Sequence, residues 1–218
     1  MADSEISRTV SSITRENLHS VAAEFLQAKA VSSGASAADQ SSDRNDDNID
    51  PALAIWREWL TAHQEFVRLC RLQQRLETRL FRSVGFPRVK LPVPGQNGPI
   101  VATTDEEIDR WLNGTAFAED RASAKAELSS QVEKWNAADR RLGYSRARMA
   151  EEAAANTAIG LAETLWETPS TSVDGAAAKL HAILAHGEPG LNNSDFPWEQ
   201  IRSLLADLLK MSAGTCPR

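Results

Sequence analysis

Residues 51–84 read PALAIWREWLTAHQEFVRLCRLQQRLETRLFRSV. Ile55, Trp59, Ala62, Phe66, Leu69, Leu72, Leu76, Leu80 and Val84 follow one another by three and four, the interval that lines one face of an α-helix. Asp50-Pro51 suits the start, because aspartate can accept from the first unpaired helix N–H groups and proline fits the first turn. Neither Gly nor Pro recurs until Gly85 and Pro87, which end the element. At a rise of about 1.5 Å per residue, the helix reaches about 50 Å. That length predicts an arm of coiled-coil type, although its apolar steps keep no strict heptad.

On the C-terminal side, Val89, Leu91 and Val93 alternate, Pro94-Gly-Gln-Asn-Gly-Pro99 turns, and Ile100-Val-Ala-Thr103 follows, which predicts a small β-hairpin within 86–103. Thr104-Asp-Glu-Glu107 is a capping box that opens a short helix carrying Ile108, Trp111 and Leu112. A second long helical pattern runs from about Phe117 to Glu167, with Gly143 as a weak point costing about 1 kcal/mol relative to Ala but not required to break it. Thr168-Pro169 stops it, Thr171-Ser-Val-Asp174 caps a helix that Gly187 closes, and Pro197 opens a last helix whose tail is expected to fray from Ser212.

On the N-terminal side, residues 1–50 predict a mostly disordered extension. Leu18, Val21, Ala22, Phe25 and Leu26 allow one short helix over about 15–29, and 31–50 lacks large apolar anchors. The expected fold is therefore mainly all-α. A long antiparallel helical hairpin, 51–84 against 117–167, carries the β-hairpin insert and a C-terminal helical cap at 169–212, all within a domain of 51–212.

Leu72-Gln-Gln-Arg-Leu-Glu77, Pro87-Arg-Val, Thr104-Asp-Glu-Glu-Ile-Asp-Arg110, the long Ala/Glu/Arg helix and Thr168-Pro-Ser-Thr-Ser-Val-Asp-Gly-Ala-Ala-Ala-Lys-Leu180 together set an order of elements. In that order the chain resembles a group of uncharacterised helical proteins of alphaproteobacteria. The likeness covers about 51–210, and it implies a fold and no activity. It departs from the group at Val173 or Asp174, where many relatives have Leu, and in the β-hairpin, which varies among them.

The chain of 218 residues carries a net charge of −6 and two cysteines, Cys70 and Cys216. Two cysteines cannot make a disulfide framework, no run is long and apolar enough for a membrane span, and Met1–Glu5 lacks the features of a secretory leader. A cytoplasmic location with no membrane association is expected. The four histidines lack metal-ligand spacing, no Cys-x-x-Cys, His-Glu-x-x-His, phosphate-loop or nucleophile-elbow motif occurs, and Cys70 lies near an apolar face. No metal, cofactor or catalytic residue is expected.

Two features remain. Arg68, Arg71, Arg75, Arg79 and Arg82 are spaced by three and four and share one helix face. Such a row binds phosphates, or it flanks the hairpin seam and pairs with the second arm, which is net −5 over 105–167. The acidic arm favours seam flanking, and two observations argue against nucleic acid: the net charge, and the placing of Phe66 and Phe81, which do not interleave with the row as a stacking platform would. Trp56 and Trp59, with Phe66, widen the apolar face of the first arm beyond what one partner helix covers, so they are the candidate partner-binding residues. The expectation is a non-enzymatic protein-interaction or scaffold module with an unidentified protein partner, self-associating, with a homodimer as the simplest form. The alternative is a nucleic-acid-binding or phage-related accessory protein using the arginine face.

Overall fold

A computed structural model describes residues 14, 17–35, 50–93, 95–188 and 195–214. The described chain is mainly α-helical: α1 Leu18–Ala35, α2 Pro51–Val84, α3 Asp105–Trp111, α4 Ala118–Leu142, α5 Tyr144–Glu167, α6 Val173–Gly187 and α7 Trp198–Gly214. Strands β1 Val89–Leu91 and β2 Ile100–Ala102 pair antiparallel, with Val89 opposite Ala102 and Leu91 opposite Ile100. Two compact units form, Met1–Glu65 with Ala154–Arg218, and Phe66–Ala153.

The first unit is built on the apolar stripes of α1, α6 and α7 and on the stretches of α2 and α5 that belong to it. Leu18, Ala22, Phe25, Leu26 and Ala30 of α1 are buried with Ala52, Leu53, Trp56, Trp59 and Leu60 of α2. Ala162 and Leu165, Ala177, Ala178, Ala182 and Leu184, and Leu205 and Leu209 complete that core. The short helix expected over 15–29 is thus longer, and it is a structural member of the unit rather than part of an extension. Burying a Leu or Phe side chain is worth about 1.5–3 kcal/mol, so the stripe at 18, 22, 25 and 26 has ample drive to dock once a partner surface exists. The linker expected over 31–50 begins inside α1, and residues 36–49 of it lie outside the described residues.

Asp50 ties two helix starts together. Its Oδ1 accepts from the N–H groups of Ala52 (2.8 Å) and Leu53 (3.3 Å), capping α2. Its Oδ2 accepts from the Thr171 N–H (2.7 Å), the Thr171 hydroxyl (3.2 Å) and the Ser172 hydroxyl (2.8 Å), just before α6. Ser172 in turn caps α6 by accepting from the Gly175 N–H at 3.0 Å. A Cβ on Gly175 would fall on the Asp50 carboxylate, so only glycine lets the two helix ends approach this closely. The tail expected to fray stays helical to Gly214, with Ser212 buried and its hydroxyl on Asp174.

In the second unit Val89 and Leu91 point inward and Lys90 outward. Val89, Leu91 and Ala102 pack with Ile108 and Leu112 of α3 and Ala124 and Leu128 of α4. The capping box forms in a shifted version. Thr104 accepts from the Glu107 N–H, while the Glu107 carboxylate accepts from the N–H and hydroxyl of Thr103. The single arm expected over 117–167 is two helices. Gly143 takes φ +81°, a left-handed conformation that other residues adopt at a cost, and ends α4. The break is held by Asp139, whose backbone carbonyl accepts from Gly143 N–H and whose carboxylate accepts from the N–H and hydroxyl of Ser145.

Candidate functional site

On a helix that turns about 100° per residue, Arg71, Arg75 and Arg82 fall within about 40° of one another, with Arg79 about 40° further on. The buried Leu69 and Leu80 lie on the far side of the same helix. All five arginines of the row are exposed. Arg71, Gln74, Arg75, Thr78, Arg79 and Arg82 line an open trough of about 580 Å³ along α2. Among the described residues, Arg71, Arg75, Arg79 and Arg82 take part in no ion pair and no side-chain hydrogen bond. Glu77, the one acidic residue of 66–90, lies about 120° around the helix from Arg71 and accepts from Gln73.

The pairing of this row with the acidic second arm therefore does not occur for these four arginines. Four carboxylates of 105–167 have nearer partners: Asp109 holds Lys125 at 2.8 Å and Arg121 at 3.8 Å, Asp139 holds Ser145, Glu107 holds Thr103 and Glu127 holds Gln131. Glu119, Asp120, Glu133 and Glu152 are exposed and in no ion pair among the described residues. Charge is also divided unequally between the units. From the sequence, Phe66–Ala153 is net +3, while the remainder is net −9, so the acidity of the whole chain belongs to the other unit.

At the end of the row, Gly85 adopts φ +71° and donates its N–H to Phe81 C=O at 2.9 Å, a left-handed helix cap. The cap turns the chain so that Phe86 returns onto Phe81, ring centroids 6.4 Å apart, and Phe86 also meets Trp135 of α4 at 5.0 Å. Gln131, one turn before Trp135, accepts from the Arg88 N–H at 2.9 Å and pins the returning strand. Phe81 and Phe86 remain 52% and 55% exposed.

The other predicted residues fall elsewhere. Trp56 and Trp59 are fully buried in the first unit's core, covered by the chain's own helices, so they present no face to a partner. Phe66, where the second unit begins, is half-buried. The apolar width from which self-association was expected is thus filled from within at both tryptophans.

That core holds a polar network that the sequence did not announce. The Trp56 indole N–H donates to His181 Nδ1 at 3.1 Å. His181 also meets the rings of His19 and Trp59 edge-on, and Trp59 stacks on His63 at 4.9 Å. Trp59 Nε1 is buried with no hydrogen-bond partner among the described residues. Burial, helped by the neighbouring His19, lowers the pKa of His181 to about 3, against the opposing effect of a hydrogen bond with the His19 backbone. Burial and then Arg202 lower that of His19, and burial, His186 and His19 lower that of His63. Glu188 joins the network through a buried ion pair with Arg202 and a 3.3 Å contact with His19 Nε2. Burial would raise the pKa of Asp50, but hydrogen bonds from Ser172, Thr171, Ala52 and Leu53 outweigh it and hold it below the usual carboxylate value.

These rings pack within the core, and among the described residues no cluster of three His, Cys, Asp or Glu side chains could hold a metal ion. Nor is any described helix long and apolar enough to cross a membrane. No protein-family model, curated protein or solved structure matches the chain. The resemblance drawn from its motifs therefore rests on those motifs alone.

Proposed function

We propose that this chain is a non-enzymatic helical binding protein whose working surface is the row Arg71, Arg75, Arg79 and Arg82, taking an anionic partner. The observation that carries the reading is four exposed guanidinium groups on one helix face with no ion-pair partner among the described residues. Like charges three or four residues apart each destabilise a helix by about 0.2–0.5 kcal/mol, so the row is a standing cost of roughly 1 kcal/mol that an anion removes. The residue choice fits, because a guanidinium presents a planar fork that matches phosphate and carboxylate oxygens two at a time. The groups with shifted pKa values elsewhere support a non-catalytic reading, since His181 and Asp50 are spent on core packing and helix capping and not arrayed around a cleft.

The test is titration of the full chain with fluorescently labelled polyphosphate, followed by anisotropy at several salt concentrations. Binding should weaken as salt rises, and Arg75→Gln with Arg79→Gln should abolish most of it without altering the circular dichroism spectrum. Equal binding by the double variant would show that the anion is held elsewhere, and no binding by wild type at low salt would refute the proposal.

A further inference from the structure

The trough has two unlike walls. Arg71, Arg75, Arg79 and Arg82 form one. Gln74 and Thr78 form the other, and one more step of three along that wall brings Phe81, about 20° from Gln74 on the helix surface. Phe81 is thus the direct continuation of the neutral wall, and the capping turn at Gly85 sets Phe86 against it. The cap explains why the two rings touch. Each ring remains more than half exposed, whereas Val89, Leu91, Ile108 and Leu112 of the same unit are buried; Val84, Val101, Trp111, Val132 and Met149 are, like the rings, exposed. Positive charge continues past the rings through the exposed Arg88 and Lys90, the latter on the outward face of β1.

Resting on the anion-binding reading above, we infer that the ligand is a single-stranded nucleic acid, its phosphates on the arginine wall and one or two unstacked bases on Phe81 and Phe86. A row of cations beside open aromatic faces is what such a strand needs. The backbone is a regular line of negative charge, and every base has an apolar face that can stack on a ring. Arg71 to Arg82 spans about 16 Å of helix, a length that a few nucleotides cover. A duplex offers the same phosphates but keeps its bases stacked inside, so it can use only the arginine wall. An acidic protein could pair with the arginines but supplies no regular set of planar rings, which makes it the weaker match to both walls together.

Anisotropy titrations of the full chain should use six labelled probes: a twelve-residue single strand as DNA and as RNA, the corresponding duplex, an abasic single strand of the same length, polyphosphate and polyglutamate. The single strand should bind about tenfold or more tighter than the abasic strand, roughly tenfold being the effect of one stacked base. With four phosphates neutralised, log K should fall with log salt at a slope of about −3, and Arg75→Gln with Arg79→Gln should bring it to about −1.4. Phe81→Ala with Phe86→Ala should reduce single-strand binding to the abasic level and leave polyphosphate binding unchanged. Phe81→Trp should restore stacking if the alanine variant folds poorly. Equal affinity for base-bearing and abasic strands, or a preference for the duplex, overturns this inference while leaving the anion-binding surface intact. Binding of polyglutamate in preference to every nucleic acid overturns it in favour of an acidic protein. Failure to bind polyphosphate or any strand refutes the underlying reading as well.

Discussion

Replacing Asp50 by alanine removes one side chain that serves five donors, and the cost can be worked from the distances. The two N–H groups of Ala52 and Leu53 lose their cap, worth about 0.5–2 kcal/mol. The Thr171 N–H and the Thr171 and Ser172 hydroxyls lose a charged acceptor. Hydrogen bonds to charged groups contribute about 1.5–3 kcal/mol each, but Thr171 and Ser172 are exposed and regain water, so about 2 kcal/mol for the set is a fair figure. The expected loss is about 2.5–4 kcal/mol, read as a fall in the urea midpoint followed by tryptophan fluorescence. Asparagine should rescue little. Its single carbonyl can face either the α2 donors or the Thr171–Ser172 donors, and its NH2 group then confronts N–H groups on the other side. Because the native carboxyl titrates below the usual value, its contribution is complete above about pH 4 and disappears as pH falls through the lowered folded value. Gly175→Ala should also destabilise by displacing this carboxylate, yet it should cost little more in the Asp50→Ala background, where the space is free. If the two substitutions add within about 0.5 kcal/mol, or if Asp50→Ala costs under 1 kcal/mol, the carboxylate is not the tie described here.

Two further outcomes are expected of the first unit. His181 has an ordinary value of 6.5 when unfolded and about 3 when folded, so the unfolded chain takes up the proton first and stability falls as pH drops below 6.5. About 2 kcal/mol should be lost between pH 7.5 and pH 5 in denaturant titrations, and His181→Gln should flatten that slope; an unchanged slope would place the titration elsewhere. Trp56→Phe should cost about 1–3 kcal/mol more than Trp59→Phe, because it strands the buried His181 acceptor while the Trp59 indole N–H has no partner to lose among the described residues. Equal thermal shifts would contradict the difference in bonding.

What could be read from the sequence was whatever repeats over a few residues. The α2 stripe, the capping hydroxyl of Thr104, the alternation of Val89 and Leu91 and the proline and glycine punctuation all act within one or two turns, and each appears where its spacing placed it. The Asp50 cap was legible for the same reason. Its second set of partners was not, because Thr171 and Ser172 lie 121 and 122 residues away and nothing in a local period points to them. The same holds for Trp56 and His181, separated by 125 residues. Gly143 shows a subtler limit. A helical glycine costs about 1 kcal/mol, which a long helix can absorb. What decided the break was the Asp139 side chain, which satisfies the backbone and hydroxyl of Ser145 and makes the left-handed turn the better alternative.

The candidate surface turns on the difference between how much charge a segment carries and where that charge is already engaged. The acidic excess of 105–167 made it a natural counterpart for the arginines of α2. Totals over a segment do not say where each carboxylate lies: Asp109 is held by Lys125, Glu107 and Asp139 are bound to hydroxyls and N–H groups within a few residues, and the exposed Glu119, Asp120, Glu133 and Glu152 pair with none of these arginines among the described residues. Short-range partners win because ordering two neighbouring side chains costs less conformational entropy than drawing together two long ones across a surface, and an exposed ion pair returns only about 0–1 kcal/mol. Four arginines are therefore left facing water for want of a local acceptor. A row of fixed positive charge that the fold does not neutralise is also a row at which an anion can dock without first breaking an internal contact. That is the physical difference between a seam-flanking stripe and a binding face, and the proposal for Arg71, Arg75, Arg79 and Arg82 rests on it.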